Sequence, residues 1–455
     1  MQAKAWLWAV ALALGAVGCG DDGVPAMPEV APQLASPADD PTPEAPAEPP
    51  PPPVERVAIP ELSAFTPAVV EHLRAIREAS DRRQDDVFMK VGDSGTVSRG
   101  FLECFSDPDE VELAGREGLE PTLAHFRNRH AGGRDSFRRR SRAAAEGWSA
   151  RHVLDGRPPP LLAEVRAIRP RFAFVMNGGN DVEGADDYLY GQRMLRIVEL
   201  LEEAGVIPIL SSISPRRGDP ASEEWVRRYN QVAWAIARAR DLPFLDYHQV
   251  LAELPRMGLA GDGVHPNIHA VDGRGRACVF DEAGLQHGHN ARNLLALRAL
   301  DALRRTVIEG EAAPDPIPTA LEGDGTADAP WVVPSLPFAD FRDTTTDGGS
   351  AIDAYACGPQ PEAGRELVYR LVVDAPVELR LMAIGRQDAD LDVHLLRGTP
   401  SGDACVARDD RVVTATLEPG VWYVAIDTFS GGEAPAAGEV LVLFAPRIEA
   451  SHAVD

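Results

Sequence analysis

Val87-Phe88-Met89-Lys90-Val91-Gly92-Asp93-Ser94-Gly95 passes from an apolar run straight into a turn. A short apolar run of this kind suits a strand buried on both faces, as in a parallel sheet. The pattern returns further along the chain. Phe172 to Met176 ends in Asn177-Gly178-Gly179, and Val206 to Ile213 and Pro243 to Tyr247 follow. Helical patterns fill the intervals. Tyr188 to Ala204 is stopped by Gly205, and Asn290 to Val307 forms another helix. Asp219-Pro220 supplies an N-cap followed by proline at the first helical position. Trp225, Tyr229, Val232 and Ile236 then recur as a core stripe. The alternation predicts an α/β domain over 63–312, a three-layer α/β/α doubly wound parallel sheet.

The flanks read differently. Lys4 and the apolar run Ala5–Gly18 suit a secretory signal and are too short to span a bilayer. Ala16-Val17-Gly18-Cys19 resembles a bacterial lipoprotein cleavage site, which makes 1–19 the signal segment and Cys19 the lipidated residue. Thirteen of the 39 prolines fall between Pro25 and Pro60, so 20–62 is expected to be a disordered, extended linker. A second linker is expected over 313–338. Beyond it the apolar period becomes two, as in Val377-Glu378-Leu379-Arg380-Leu381 and Leu391-Asp392-Val393-His394-Leu395. Several such strands predict an all-β sandwich over 339–447.

Composition narrows the function classes. Hydrophobic residues at 44% allow a sizeable core. Asp plus Glu total 70 against 45 Lys plus Arg, a net charge of −25. That lacks the footprint of a nucleic-acid binder and suits neutral substrates better than phosphate-rich partners. Cys19 aside, four cysteines remain, and an exported chain can keep them oxidised. Three pairings are possible. The domain division favours Cys104–Cys278 and Cys357–Cys405. No CxxC or HExxH pattern points to zinc, so no metal or cofactor is expected at the site.

Three loops carry chemistry: Gly92-Asp93-Ser94-Gly95, Gly178-Gly179-Asn180-Asp181 and Asp262-Gly263-Val264-His265. Each alone is ordinary turn composition. Together they hold a hydroxyl, an imidazole, a carboxylate and an amide, the parts of an acyl-transfer site. In this order they resemble the SGNH hydrolases, the GDSL esterase/lipase family, over roughly 85–305. The resemblance implies a flavodoxin-like sheet and a serine esterase of short-chain or acetyl esters. It makes Ser94 the nucleophile, His265 the base and Asp262 its orienting carboxylate. Ser94, Gly147 (in Glu146-Gly147-Trp148-Ser149) and Asn180 would form the oxyanion hole. Gly95 stands where the family name has Leu.

Other readings use the same residues. Lipase or thioesterase chemistry needs no change in the triad. A non-catalytic envelope binding protein could keep the scaffold. Gly-Asp-Ser-Gly also occurs in trypsin-like proteases, but there a His and an Asp precede the Ser in a double barrel, and here only His72 precedes Ser94. The C-terminal region resembles the bacterial pre-peptidase C-terminal domain, through Asp390–Leu396 and Leu417–Val424. That resemblance raises calcium binding by Asp390, Asp392, Asp409 and Asp410, although a solvated acidic face is the plainer expectation. Taken together, these readings describe a lipid-anchored protein of the bacterial envelope, facing the periplasm or exterior, acting on a small-molecule or carbohydrate ester and not on nucleic acid.

Overall fold

The computed structural model describes residues 52–358, 362, 364–386, 389–428 and 437–448. The signal segment, Cys19 and most of the first linker lie outside the described residues. Four parallel strands run in sequence order across one sheet: β1 (Gln84–Gly92), β2 (Pro170–Met176), β3 (Ile207–Ser211) and β4 (Phe244–Leu245). On the free side of β1 the segment around Ala144 adds a single parallel bridge to Gly92. The strands are apolar on both faces because helices cover both.

The helices are α1 (Pro67–Glu78), α2 (Ala150–Leu154), α3 (Pro160–Ile168), α4 (Asp187–Glu203), α5 (Pro220–Ala239) and α6 (Gly288–Leu303). Helices α2 to α5 follow crossovers of one sense along the sheet, and α4 packs on α5. Helix α5 starts where Asp219 accepts the Ser222 N–H at 3.1 Å, with Pro220 at its first position. Helix α4 ends at Gly205, whose φ of +69° suits the residue after a helix. Phe88 lies edge-on to Phe126, Phe137 and Phe174 at 5.2–5.6 Å and anchors the core on β1.

The C-terminal region is a sandwich. One sheet contains β5 (Phe338–Asp343), β7 (Val377–Gly385), β10 (Val412–Leu417) and β12 (Glu439–Pro446), in the order β5-β12-β7-β10. The other contains β6 (Leu367–Val373), β8 (Leu391–Arg397), β9 (Cys405–Asp409) and β11 (Gly420–Thr428). The short strand Trp331–Val332 pairs with β6 inside the expected second linker, and Trp331, Val333 and Leu336 are buried in the sandwich core. The sandwich therefore begins earlier than residue 339, because these apolar side chains gain more from burial than the Pro-rich sequence around them loses. Glu55–Arg56 pairs with Ser335–Leu336, so the end of the first linker is ordered as well.

The two halves pack against each other through an apolar interface with a few polar contacts. The outer face of the β5-β12-β7 sheet lies on α4 and α5. Met382, Ile384, Leu441 and Leu443 join the core of the α/β domain, whereas Leu381, Ala383, Val442 and Phe444 face the sandwich interior. Arg380 pairs with Asp187 at 2.8 Å, and buried Gln231 donates to the Pro446 carbonyl at 2.9 Å. Truncating Ile384 to Ala is expected to cost about 2–5 kcal/mol, the usual range for a buried aliphatic. Urea denaturation checks this, and a loss near zero would mean that the sandwich does not rest on the helices.

Candidate active site

The site forms where strands end and loops begin, at the carboxyl edge of the parallel sheet. Strand β1 delivers Gly92, then a single helical turn, Ser94–Val97. Gly92 has φ +154°, and a Cβ there would sit 2.3 Å from the Met176 carbonyl oxygen and from Thr96 Oγ1. Only glycine lets the strand turn this sharply against β2. Asp93 caps the turn by accepting the Gly95 N–H at 3.0 Å. Burial pushes the Asp93 carboxyl up, opposed by that bond and by Arg292 and Arg216.

Three residues meet at this edge, Ser94 lying 171 positions from His265 and Asp262 only three. Ser94 Oγ lies 2.9 Å from His265 Nε2, and His265 Nδ1 lies 2.8 Å from Asp262 Oδ2. The other Asp262 oxygen accepts the Val264 and His265 N–H groups, each at 3.0 Å. The Val264 bond leads in holding the Asp262 carboxyl down at about 2, helped by His265 and opposed by slight burial. An ionised carboxylate only accepts, so Nδ1 carries the proton and Nε2 offers its lone pair to Ser94. Gly263 makes the loop possible: its φ is +71°, and a Cβ there would lie 2.6 Å from the Arg217 carbonyl oxygen.

A cavity of about 450 Å³ opens over these groups, lined by Ser94, Asn180, Asp262 and His265 among others. Asn180 gives one amide proton to the Trp148 carbonyl at 3.0 Å, which leaves the second for a ligand. Among the described residues the Ser94 N–H donates to nothing. Gly147 does not line the cavity, although its neighbour Trp148 touches Asn180. Its φ of +74° and open surroundings put it in an exposed turn. The structure thus brings Ser94, Asn180, Asp262 and His265 together and leaves Gly147 off the wall they form.

Both disulfides join the expected partners, Cys104–Cys278 and Cys357–Cys405. The first ties the segment after Ser94 to the segment after His265, beside the strand pair Val111↔Cys278. In the sandwich, Asp392 accepts from Arg408 at 2.7 Å, and Asp410 lies 3.5 Å from the same guanidinium.

Residues 91–269 match the family model of the GDSL-like lipase/acylhydrolase family. This segment is similar to the GDSL-like hydrolases, and the chain is a hydrolase. Among solved structures, a GDSL-like lipase from Bacteroides thetaiotaomicron is similar at 16% identity, covering 51% of this chain and 98% of that one, with a TM-score of 0.31. A catalytic mutant of an acetylxylan esterase from Geobacillus stearothermophilus gives 16%, 48%, 95% and 0.31 for the same quantities. The pre-peptidase C-terminal domain of a Bacillus anthracis collagenase gives 10%, 24%, 89% and 0.17. No curated protein matches the sequence.

One charged residue at the site is not among those the sequence points to. Arg292 is fully buried beneath the Ser94 turn, donates to the Gly95 carbonyl at 2.7 Å and lies 3.7 Å from the Phe101 ring centre. Among the described residues it has no carboxylate ion pair. Burial pushes its pKa down, while Tyr247 and Asp93 push it up. Its charge is aimed at the turn and favours negative charge building there. The signal was Asn290, Arg292 and Asn293 crowded into one turn of an otherwise Leu/Ala-rich helix. His289 also lies under the turn, 3.2 Å from Ser98 Oγ; burial takes it down to about 3, so it stays neutral.

The Asp262 carboxyl gives a direct check. Its folded pKa lies below the ordinary value, so its contribution to stability is present above about 3.9 and is lost as pH falls through that range. Carbon-detected NMR titration is expected to place its midpoint at about 2. A midpoint near the ordinary value would mean that the Val264–His265 loop is not held as described.

Proposed function

We propose that this chain is a serine esterase that hydrolyses small acyl esters, with acetyl groups on carbohydrate as the favoured substrates. Ser94 Oγ attacks the ester carbonyl while His265 Nε2 takes its proton. Asp262 holds the ring in the tautomer this requires and stabilises the imidazolium. The carbonyl oxygen, now an oxyanion, is met by the Ser94 N–H and the Asn180 amide, with Arg292 beneath them. His265 then protonates the leaving alcohol. Water, deprotonated by the same ring, releases the acid from Ser94.

The observation that carries this reading is the pair of contacts Ser94–His265 at 2.9 Å and His265–Asp262 at 2.8 Å, open to a cavity of about 450 Å³. A cavity of this size accommodates a short acyl group with part of its alcohol. The acetylxylan esterase named above supports acetylated carbohydrate by analogy alone. A lipase or thioesterase would use the same groups. A binding protein on a hydrolase scaffold has less in its favour, because such a protein has no use for a triad in working geometry.

The test is hydrolysis of p-nitrophenyl acetate, followed by acyl chain length and acetylated xylan. Ser94→Ala is expected to lower kcat by at least about 10³-fold. Asp262→Asn should lower it by up to about 10⁴-fold and Asn180→Ala by about 10²–10³-fold. Equal rates for the wild-type chain and Ser94→Ala would favour the binding protein.

The same proposal places the chain in the bacterial envelope, anchored through Cys19. The disulfide pairs suit an oxidising compartment. The sandwich is proposed to serve as a pre-peptidase-C-terminal-like module. Mass spectrometry of the mature N-terminus decides the anchor: a diacylglyceryl Cys19 is expected, and an unmodified one would remove it.

A further inference from the structure

The net charge of −25 conceals a local reversal. Between Arg127 and Arg142 the sequence reads RNRHAGGRDSFRRRSR, a basic run in an acidic chain. Its segment 137–141 borders a second cleft of about 580 Å³, distinct from the ester cavity. Lys90 lies at its floor, with Arg99, Arg138 and Arg140 on its walls. Thr96, Val97 and Ser98 line it as well, so the two cavities share the helical turn that begins at Ser94. Along that turn Ser94 and Ser98 are separated by about 6 Å of helix rise.

The cations are available. Lys90 is 8% exposed, and its ammonium spends one of its three protons on the Phe137 carbonyl at 3.0 Å. Burial lowers it to about 8, with Glu103 and Asp135 pulling upward and Arg292 and Arg140 downward. An anion entering the cleft would relieve that cost. Arg99, Arg138 and Arg140 are exposed and form no ion pair among the described residues. Arg139 is committed to buried Glu164 through two bonds of 2.8 and 3.0 Å. Glu103 and Glu146 are the acids on the lining, so its cations stay in excess. Asp135 also acts on Lys90, and acids more than about 8 Å away are screened at physiological salt.

We propose that this cleft binds an oxyanion group, a carboxylate, sulfate or phosphate, carried by the same soluble molecule as the ester cleaved at Ser94. The substrates are then acidic esters, a refinement that rests on the esterase reading above. A recessed lysine ringed by guanidinium groups is reached by one protruding group, not by a flat lipid surface. The two clefts meet at the turn that begins at Ser94, so a group bound in one belongs to a molecule whose ester can lie in the other. Guanidinium pairs meet carboxylate, sulfate and phosphate with similar geometry.

Two measurements test this. The first compares kcat/KM for mono-p-nitrophenyl adipate, whose acyl chain ends in a carboxylate, with that for neutral p-nitrophenyl hexanoate. The acid-to-neutral ratio is expected to fall at least tenfold in the variant Arg99→Gln/Arg138→Gln/Arg140→Gln, and to fall in the wild-type chain as salt is raised. The second is calorimetric binding of a heparin hexasaccharide to the full chain carrying Ser94→Ala, with and without the three glutamines. Affinity should drop at least tenfold with them, and circular dichroism confirms that the variant folds. An unchanged ratio together with unchanged binding overturns the proposal, as does preferential binding to phosphatidylglycerol vesicles. Absence of Ser94-dependent hydrolysis of either ester sinks the esterase reading instead, and the heparin measurement then decides the cleft alone.

Discussion

The 2.9 Å contact between Ser94 Oγ and His265 Nε2 depends on almost everything else in the α/β domain. A hydrogen bond between side chains so far apart in sequence survives only if both loops are held from below. The parallel sheet holds the first, since Gly92 must fit between Thr96 and the Met176 carbonyl. Asp262 holds the second, binding two backbone N–H groups and the imidazole at once. The Cys104–Cys278 bridge then ties the two loop regions covalently, closing 174 residues. Such a loop is worth roughly 3–5 kcal/mol through the entropy it removes from the unfolded chain.

Several cations lie close to the turn that carries this contact. Arg292 lies under the turn, Arg216 reaches the Gly179 carbonyl at 2.5 Å, and both act on Asp93. Lys90 and the arginines of the second cleft stand on the other side of the same turn. Asp93, Glu183, Asp219 and Asp262 line the same cavity, so the nucleophile of this acidic protein lies among charges of both signs. Net charge governs solubility and long-range encounters, but the field at Ser94 is set by the few groups within a Debye length.

Much of this was legible in the sequence because the relevant signals are local. Short apolar runs ending in Gly-Asp-Ser or Gly-Gly-Asn-Asp mark strand ends, and a doubly wound sheet gathers those ends on one edge. Asp262 and His265 are paired by the family resemblance, which their three-residue spacing fits. Gly147 was harder: its block is short, and a backbone donor leaves no chemical mark on the sequence. Arg292 acts from a helix whose sequence position says nothing about the loop above it. The docked sandwich leaves its own signal in the sequence. Period two gives way to continuous apolar runs at Leu381-Met382-Ala383-Ile384 and Val440-Leu441-Val442-Leu443-Phe444, the mark of a sheet buried on both faces. Trp331–Val332 is too short a strand to show any period.

The central claim is that His265 makes the Ser94 hydroxyl a nucleophile. Labelling the intact protein with a fluorophosphonate, followed by peptide mass spectrometry, tests it most directly. The account predicts a single adduct on Ser94 that forms rapidly in the wild-type chain and is lost with His265→Ala. An adduct on another serine, or one on Ser94 that forms equally fast without His265, would contradict it.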